Sequence, residues 1–231
     1  MKSLKDYICE SMFDEEDIET DVICSEIINW VIKNYSHIKT SHLKISKKPN
    51  KDGKYVVDYN ADIQLNRNSS VASLTNDMFV WGEVKGDFLC SYCTSLTSLE
   101  GAPEKVHGSF YCIGCVSLKT LEGAPKEVGR NVYCGYCKAL TSLEGAPEKI
   151  DRDFNCSFCN SLTSLKGAPK EVGEGFYCSF CKSLKTLEGA PKIVKETFDC
   201  GYCNSLTTLE GAPKEVGRDF SCYYCNSLTS L

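Results

Sequence analysis

A 22-residue pattern that opens at Phe88 and recurs without insertion to Leu231 constrains this chain more than any other feature. Its first copy reads Phe88-Leu89-Cys90-Ser91-Tyr92-Cys93-Thr94-Ser95-Leu96-Thr97-Ser98-Leu99-Glu100-Gly101-Ala102-Pro103-Glu104-Lys105-Val106-His107-Gly108-Ser109. First cysteines fall at Cys90, Cys112, Cys134, Cys156, Cys178, Cys200 and Cys222, and each is followed three residues later by a second, from Cys93 to Cys225. A fixed period of this length marks a solenoid in which each copy is one coil. The core of such a chain is long and thin, built coil on coil.

Within a coil the residue two before the first cysteine is Phe or Val (Phe88, Phe110, Val132, Phe154, Phe176, Phe198, Phe220), so both side chains share one face of a short strand. Leu96, Leu99 and Val106, with their counterparts, supply the rest of the interior. Gly-Ala-Pro turns the chain back, since Gly reaches unusual backbone angles and Pro fixes φ and lacks a donor. Proline in successive coils also argues against a long return helix. Ser73-Leu74-Thr75 and Val84-Lys85-Gly86-Asp87-Phe88 lie one period before their matches, with Met78-Phe79-Val80-Trp81 replacing Glu-Gly-Ala-Pro. This is a degenerate coil over 71–87, suited to closing an open core. The predicted organisation is an α/β N-terminal cap over 1–70 and a solenoid over 71–231, with seven coils from 88 and the last incomplete.

In the first part, Ser3 and Asp6 form a capping-box pattern ahead of a helix over 3–12. Asp14-Glu15-Glu16-Asp17 opens a second helix running to about Tyr35, with Ile18, Val22, Ile23, Ile27, Trp30 and Val31 on its apolar face. From His42 the period changes to two, predicting a hairpin turned at Pro49-Asn50-Lys51-Asp52-Gly53 and a third strand through Ile63 and Leu65. His37 and His42 lie in no ligand or catalytic pattern. Cys9 and Cys24 read as small buried residues.

Residues 1–87 carry 11 Lys/Arg and 15 Asp/Glu, and the remainder 15 and 16. No basic excess is present, which disfavours nucleic acid and anionic membrane as partners. No apolar run approaches the ~20 residues of a membrane helix. The opening Met1-Lys2-Ser3-Leu4-Lys5-Asp6 lacks an apolar signal core, so the cysteines are expected in a reducing, cytoplasmic setting.

Phe110-x-Cys112-x-x-Cys115-x-x-Leu118-x-x-Leu121 resembles the cysteine-containing signature of the leucine-rich repeat family, with Cys115 at the ladder position. Repeats containing Ser-Leu-Thr-Ser-Leu-Glu-Gly-Ala-Pro resemble short bacterial and phage-encoded members. Two spacings depart from the commoner pattern: the leucine after the ladder residue stands three positions on, and Phe110 stands four positions after Val106. The resemblance covers residues 74–231 and implies an α/β, leucine-rich-repeat-like solenoid with a parallel sheet along one face and a binding role. A phage factor that engages a host protein is one form that role takes.

The spacing of Cys90, Cys93, Cys112 and Cys115 satisfies a zinc-ribbon template, which keeps a zinc or iron–sulfur protein as the alternative function. Against it, coil length alone produces the spacing, and both cysteines occupy interior positions. Stacked thiols donating weakly to neighbouring carbonyls account for the same pattern, and no cofactor is expected. Nor does the sequence contain a nucleophile motif, phosphate loop or paired acid and base, so an enzyme is not expected.

Outward strand positions vary where interior ones do not. The residue after the phenylalanine is Leu89, Tyr111, Tyr133, Asn155, Tyr177, Asp199 or Ser221, and the residue before the second cysteine is Tyr92, Gly114, Tyr136, Phe158, Phe180, Tyr202 or Tyr224. The second column either stacks ring on ring to stabilise the coil edge or offers contact area to a partner. The function expected from this pattern is a protein-binding scaffold using Tyr92, Tyr111, Tyr133, Tyr136, Phe158, Tyr177, Phe180, Tyr202 and Tyr224. Ser227-Leu228-Thr229-Ser230-Leu231 stops halfway through a coil, from which truncation, docking on a partner or end-to-end self-association is expected.

Overall fold

The computed structural model describes residues 18–229 apart from 36 and 66. The helix expected over 3–12 and the acidic cluster at 14–17 lie outside them. Helix α1 (Ile18–Asn34) is followed by the hairpin of β1 (Leu43–Ile45) and β2 (Tyr55–Tyr59), then by β3 (Ile63–Gln64) and β4 (Phe79–Val84). Each coil then contributes two two-residue strands: β5 (Phe88–Leu89), β6 (Lys105–Val106), β7 (Phe110–Tyr111), β8 (Glu127–Val128), β9 (Val132–Tyr133), β10 (Lys149–Ile150) and β11 (Phe154–Asn155). The series continues with β12 (Glu171–Val172), β13 (Phe176–Tyr177), β14 (Ile193–Val194), β15 (Phe198–Asp199), β16 (Glu215–Val216) and β17 (Phe220–Ser221).

The molecule is a parallel-strand β-solenoid with little helix. An eight-stranded sheet runs β3-β5-β7-β9-β11-β13-β15-β17, and its register sets Phe88 on Phe110 and Phe176 on Phe198, one period apart. The single sheet expected along one face is accompanied by a second ladder on another. There β1, β2, β4, β6 and β8 form one sheet and β10, β12, β14 and β16 form another, so pairing on this face is interrupted between β8 and β10. The two-residue strands of the first sheet fall where the Phe-x-Cys pattern expects them, whereas those of the second ladder have no comparable local pattern, because their hydrogen bonds form only between coils.

The interior is one continuous hydrophobic cluster from Cys24 to Cys225. Phe88, Phe110, Phe154, Phe176 and Phe198 are fully buried, as are most of the paired leucines and cysteines. Face-to-face contacts follow from the register: Phe154 and Phe176 stack at 5.3 Å and 4°, and Phe176 and Phe198 at 5.4 Å and 4°. Where the repeat begins, Phe79 and Trp81 of β4 receive α1. Trp30 meets Phe79 edge-on at 5.4 Å, Tyr35 meets Trp81 at 5.3 Å, and the Trp81 indole donates to the Tyr35 hydroxyl at 3.0 Å. These contacts rotate the helix so that Cys24, Ile27, Ile28, Val31 and Tyr35 are buried. Val22, expected on the apolar face, is exposed instead.

Two left-handed residues turn each coil. One is the glycine of Gly-Ala-Pro, at φ +88° for Gly101 and +91° for Gly145. A Cβ on Gly145 would lie 2.4 Å from both the Leu121 oxygen and the Glu122 nitrogen, so this glycine also permits the close approach of successive coils. In the β1–β2 hairpin, Gly53 has φ +75° and open space around it. Gly145→Ala should therefore cost about 3 kcal/mol or more, and Gly53→Ala about 1 kcal/mol, by urea denaturation. Equal losses would show that close approach of the coils is not what requires glycine at 145.

Candidate functional site on the outer face of the first sheet

The paired cysteines lie inside the coil wall and do a backbone job. Each second thiol donates to a carbonyl one coil earlier: Cys93 to Leu65 at 3.2 Å, Cys115 to Cys90 at 3.1 Å, Cys137 to Cys112 at 3.1 Å, Cys159 to Cys134 at 3.3 Å. Cys181, Cys203 and Cys225 repeat the bond to Cys156, Cys178 and Cys200 at 3.2–3.3 Å. Two of the first cysteines point the other way, Cys90 to the Tyr111 oxygen at 3.4 Å and Cys200 to the Ser221 oxygen at 3.3 Å. Thiols are weak donors, but they give these buried carbonyls a partner and fill the core at the same time. The sulfurs of Cys90, Cys93 and Cys115 thus go to three different carbonyls. Among the described residues all cysteines are free, and no group of three or more His, Cys, Asp or Glu side chains is placed to hold a metal ion.

Burial pushes the thiols of Cys134, Cys156, Cys159 and Cys178 well above their ordinary range, that of Cys181 to about 12 and that of Cys93 to about 11. Each keeps its proton to higher pH when folded than when unfolded. Between the ordinary thiol value and these raised ones the unfolded chain binds fewer protons, so stability falls as pH rises. Urea midpoints in reducing buffer should hold below pH ~8.5 and decline steadily towards pH 11. A flat midpoint over that window would show that the thiols are not held protonated by the fold.

Outside this wall stand the aromatic columns. Tyr111, Tyr133 and Tyr177 lie on strands, half-buried, whereas the second column occupies the turn that follows the strand. Tyr92, Tyr136, Phe158, Phe180, Tyr202 and Tyr224 all have left-handed backbones, with φ between +56° and +63°. That conformation costs a non-glycine residue about 1–2 kcal/mol. Ring contact offsets it: Tyr136–Phe158, Phe158–Phe180 and Phe180–Tyr202 stack at 4.4, 4.5 and 4.4 Å, and Tyr202–Tyr224 at 4.9 Å. The rings of this column thus stack on one another while Tyr136 and Tyr224 stay 48% and 63% exposed.

Tyr92 stands apart from the stack. Gly114 takes the next place, the Tyr92 ring fills the space its side chain would need, and the Arg67 guanidinium lies 5.8 Å from that ring. In the first column Tyr111 and Tyr133 stack at 5.2 Å, Asn155 interrupts, and Tyr177 is separate. Burial raises the Tyr133 and Tyr177 phenols, with Asp153 the next cause for each.

Sequence reasoning overlooked Tyr223, which meets Tyr202 edge-on at 5.0 Å and is 50% exposed. The available signal was its place in a column otherwise of Ser91, Ile113, Gly135, Ser157, Ser179 and Gly201. Also overlooked was a polar ladder along the residue before the phenylalanine. Asp87 accepts from the Ser109 N–H at 2.7 Å, Asn131 from that of Asp153 at 3.1 Å, and Asp153 from that of Gly175 at 2.9 Å.

Comparison with protein-family models, with curated proteins and with solved structures finds no match to this chain. No helix among the described residues is long and apolar enough to cross a membrane. The stacking account makes its own prediction at Phe180. Both Phe180→Ala and Phe180→Gly should lower stability, with the glycine variant about 0.5–1 kcal/mol the more stable because alanine keeps the left-handed strain. Equal stability of the two variants would remove strain from the balance.

Proposed function

We propose that this chain is a non-enzymatic, leucine-rich-repeat-like scaffold that binds a protein partner across the outer face of its first sheet, in the cytoplasm. Helix α1 and the β1–β2 hairpin serve in this reading as the α/β cap, covering the aromatic end formed by Phe79 and Trp81. The observation that carries the reading is the pair of aromatic columns. Their rings lie outside an interior already filled by Phe, Leu, Val and Cys, and three of them, Tyr92, Tyr136 and Tyr224, are about half exposed or more. Aromatic side chains offer large contact area for little lost rotamer freedom, and contiguous exposed ones mark interaction sites. By contrast, the second ladder carries balanced surface pairs such as Lys126–Glu104 and Lys170–Glu148, which contribute little and serve solubility.

The test is positional. A photo-crosslinking residue at Tyr133 should trap one predominant protein from cells expressing the chain, and the same residue at Lys126 should trap none. Tyr111→Ser combined with Tyr136→Asn should abolish trapping at 133 while the circular dichroism spectrum stays native and melting remains cooperative at a midpoint lowered only by the lost ring contacts, asparagine being tolerant of the left-handed backbone. Equal trapping from both faces, or trapping that survives the double substitution, would overturn the proposal.

A further inference from the structure

We infer that the groove between Tyr177 and Tyr223 is a subsite for an arginine side chain of the protein partner, an inference that rests on the binding face proposed above. The groove has a volume of about 640 Å³, and its polar lining is Tyr177, Thr197, Asp199, Asp219, Ser221 and Tyr223. No basic residue lines it.

Two glycines build it. At Gly175 the polar ladder loses its side chain, and the phenol of Tyr177 takes the space, with its hydroxyl 2.3 Å from where a Cβ would stand. At Gly201 the same happens with Tyr223, whose ring carbon lies 2.9 Å from the corresponding point. Both phenols are thereby laid beside Asp199, which is the register partner of Tyr177. The Asp199 carboxylate is held from behind: Oδ1 accepts the Gly201 N–H at 2.8 Å and Oδ2 accepts the Ser179 hydroxyl at 2.9 Å. A carboxylate has about four acceptor positions, so two bonds orient it and leave capacity for a ligand.

Charge supplies the choice of occupant. Arg218 pairs with Glu196 at 3.8 Å and Arg152 with Glu174 at 4.0 Å. Among the described residues Asp199 and Asp219 have no cation within ion-pair distance. A groove lined by two carboxylates and two phenol rings is complementary to a cation that is flat, stacks on aromatic rings and donates in a fork. Guanidinium meets all three conditions, and ammonium, a compact and strongly hydrated charge, meets fewer.

The probe is a fluorescein-labelled glycine–serine peptide carrying three central arginines, titrated at low salt into the full chain by fluorescence anisotropy. Companion peptides carry lysine or citrulline at the same places. Saturable binding of the arginine peptide is expected, with the citrulline peptide about tenfold weaker or worse and the lysine peptide between them. Asp199→Asn, which keeps the Gly201 bond on its amide oxygen and can donate to the Ser179 hydroxyl instead of accepting from it, and Asp219→Asn should each weaken the arginine peptide about tenfold, and Lys126→Arg, on the second ladder, should leave it unchanged. Absence of saturable binding, equal affinity for citrulline, lysine binding as tight as arginine, or insensitivity to both aspartate substitutions would overturn the subsite. Because the assay needs no partner, loss of peptide binding with crosslinking at 133 intact removes the arginine subsite alone. Failed crosslinking with peptide binding intact removes the proposed binding face and leaves the site's chemistry standing.

Discussion

Stacking in constant register is the constraint on which every other feature depends. Parallel strands ~4.8 Å apart place each side chain directly over its counterpart one coil earlier, so an interior residue is favoured when it can lie against a near copy of itself. Phenylalanine, leucine and valine satisfy this in the interior by packing flat. Cysteine satisfies it by being small and by aiming its weak donor at the preceding coil's carbonyl, as from Cys115 to Cys90. The same rule operates outside, where asparagine, serine and aspartate accept from the next coil's backbone. One interaction, repeated, does for this chain what diverse packing does for a globular core.

Repetition also explains how strain is carried. A lone tyrosine or phenylalanine with positive φ would be an outlier, but in a column the cost recurs together with a stacking contact of about 0.5–1.5 kcal/mol for each adjacent ring pair. Gly114 tests the account within the molecule: it takes the left-handed place without a ring, and the Tyr92 ring closes over it. Glycine elsewhere acts in the same way, since Gly175 and Gly201 each yield their place to a phenol. Departures from the repeat are therefore where concave surface and unpaired charge arise.

Much of the fold was legible because each interior position is written several times over. The Phe, Cys, Leu and Val columns, the bend at Gly-Ala-Pro, the β1–β2 hairpin and the extent of α1 follow from periodicity and turn chemistry. Less was legible where a local pattern meets an irregular neighbour. Val22 fits an apolar helix face but is exposed, because contacts to Phe79 and Trp81 set the helix rotation. Within the candidate site, membership of the aromatic columns could be read directly, but their backbone could not, since single-residue propensity argues against aromatic side chains in left-handed turns.

By itself, then, the amino-acid order determined the period, the identity of the buried columns and the interior place of the thiols, because identical residues at a constant interval can stack in few ways. Tertiary structure alone decided that a second ladder forms at Lys105–Val106 and its successors, that the ladder is interrupted between β8 and β10, and that Tyr177, Asp199 and Tyr223 converge. Those outcomes depend on residues one or two coils apart that differ from one another. Their contacts exist only after the coils have closed, when the side chain missing from one turn becomes the space filled by the next.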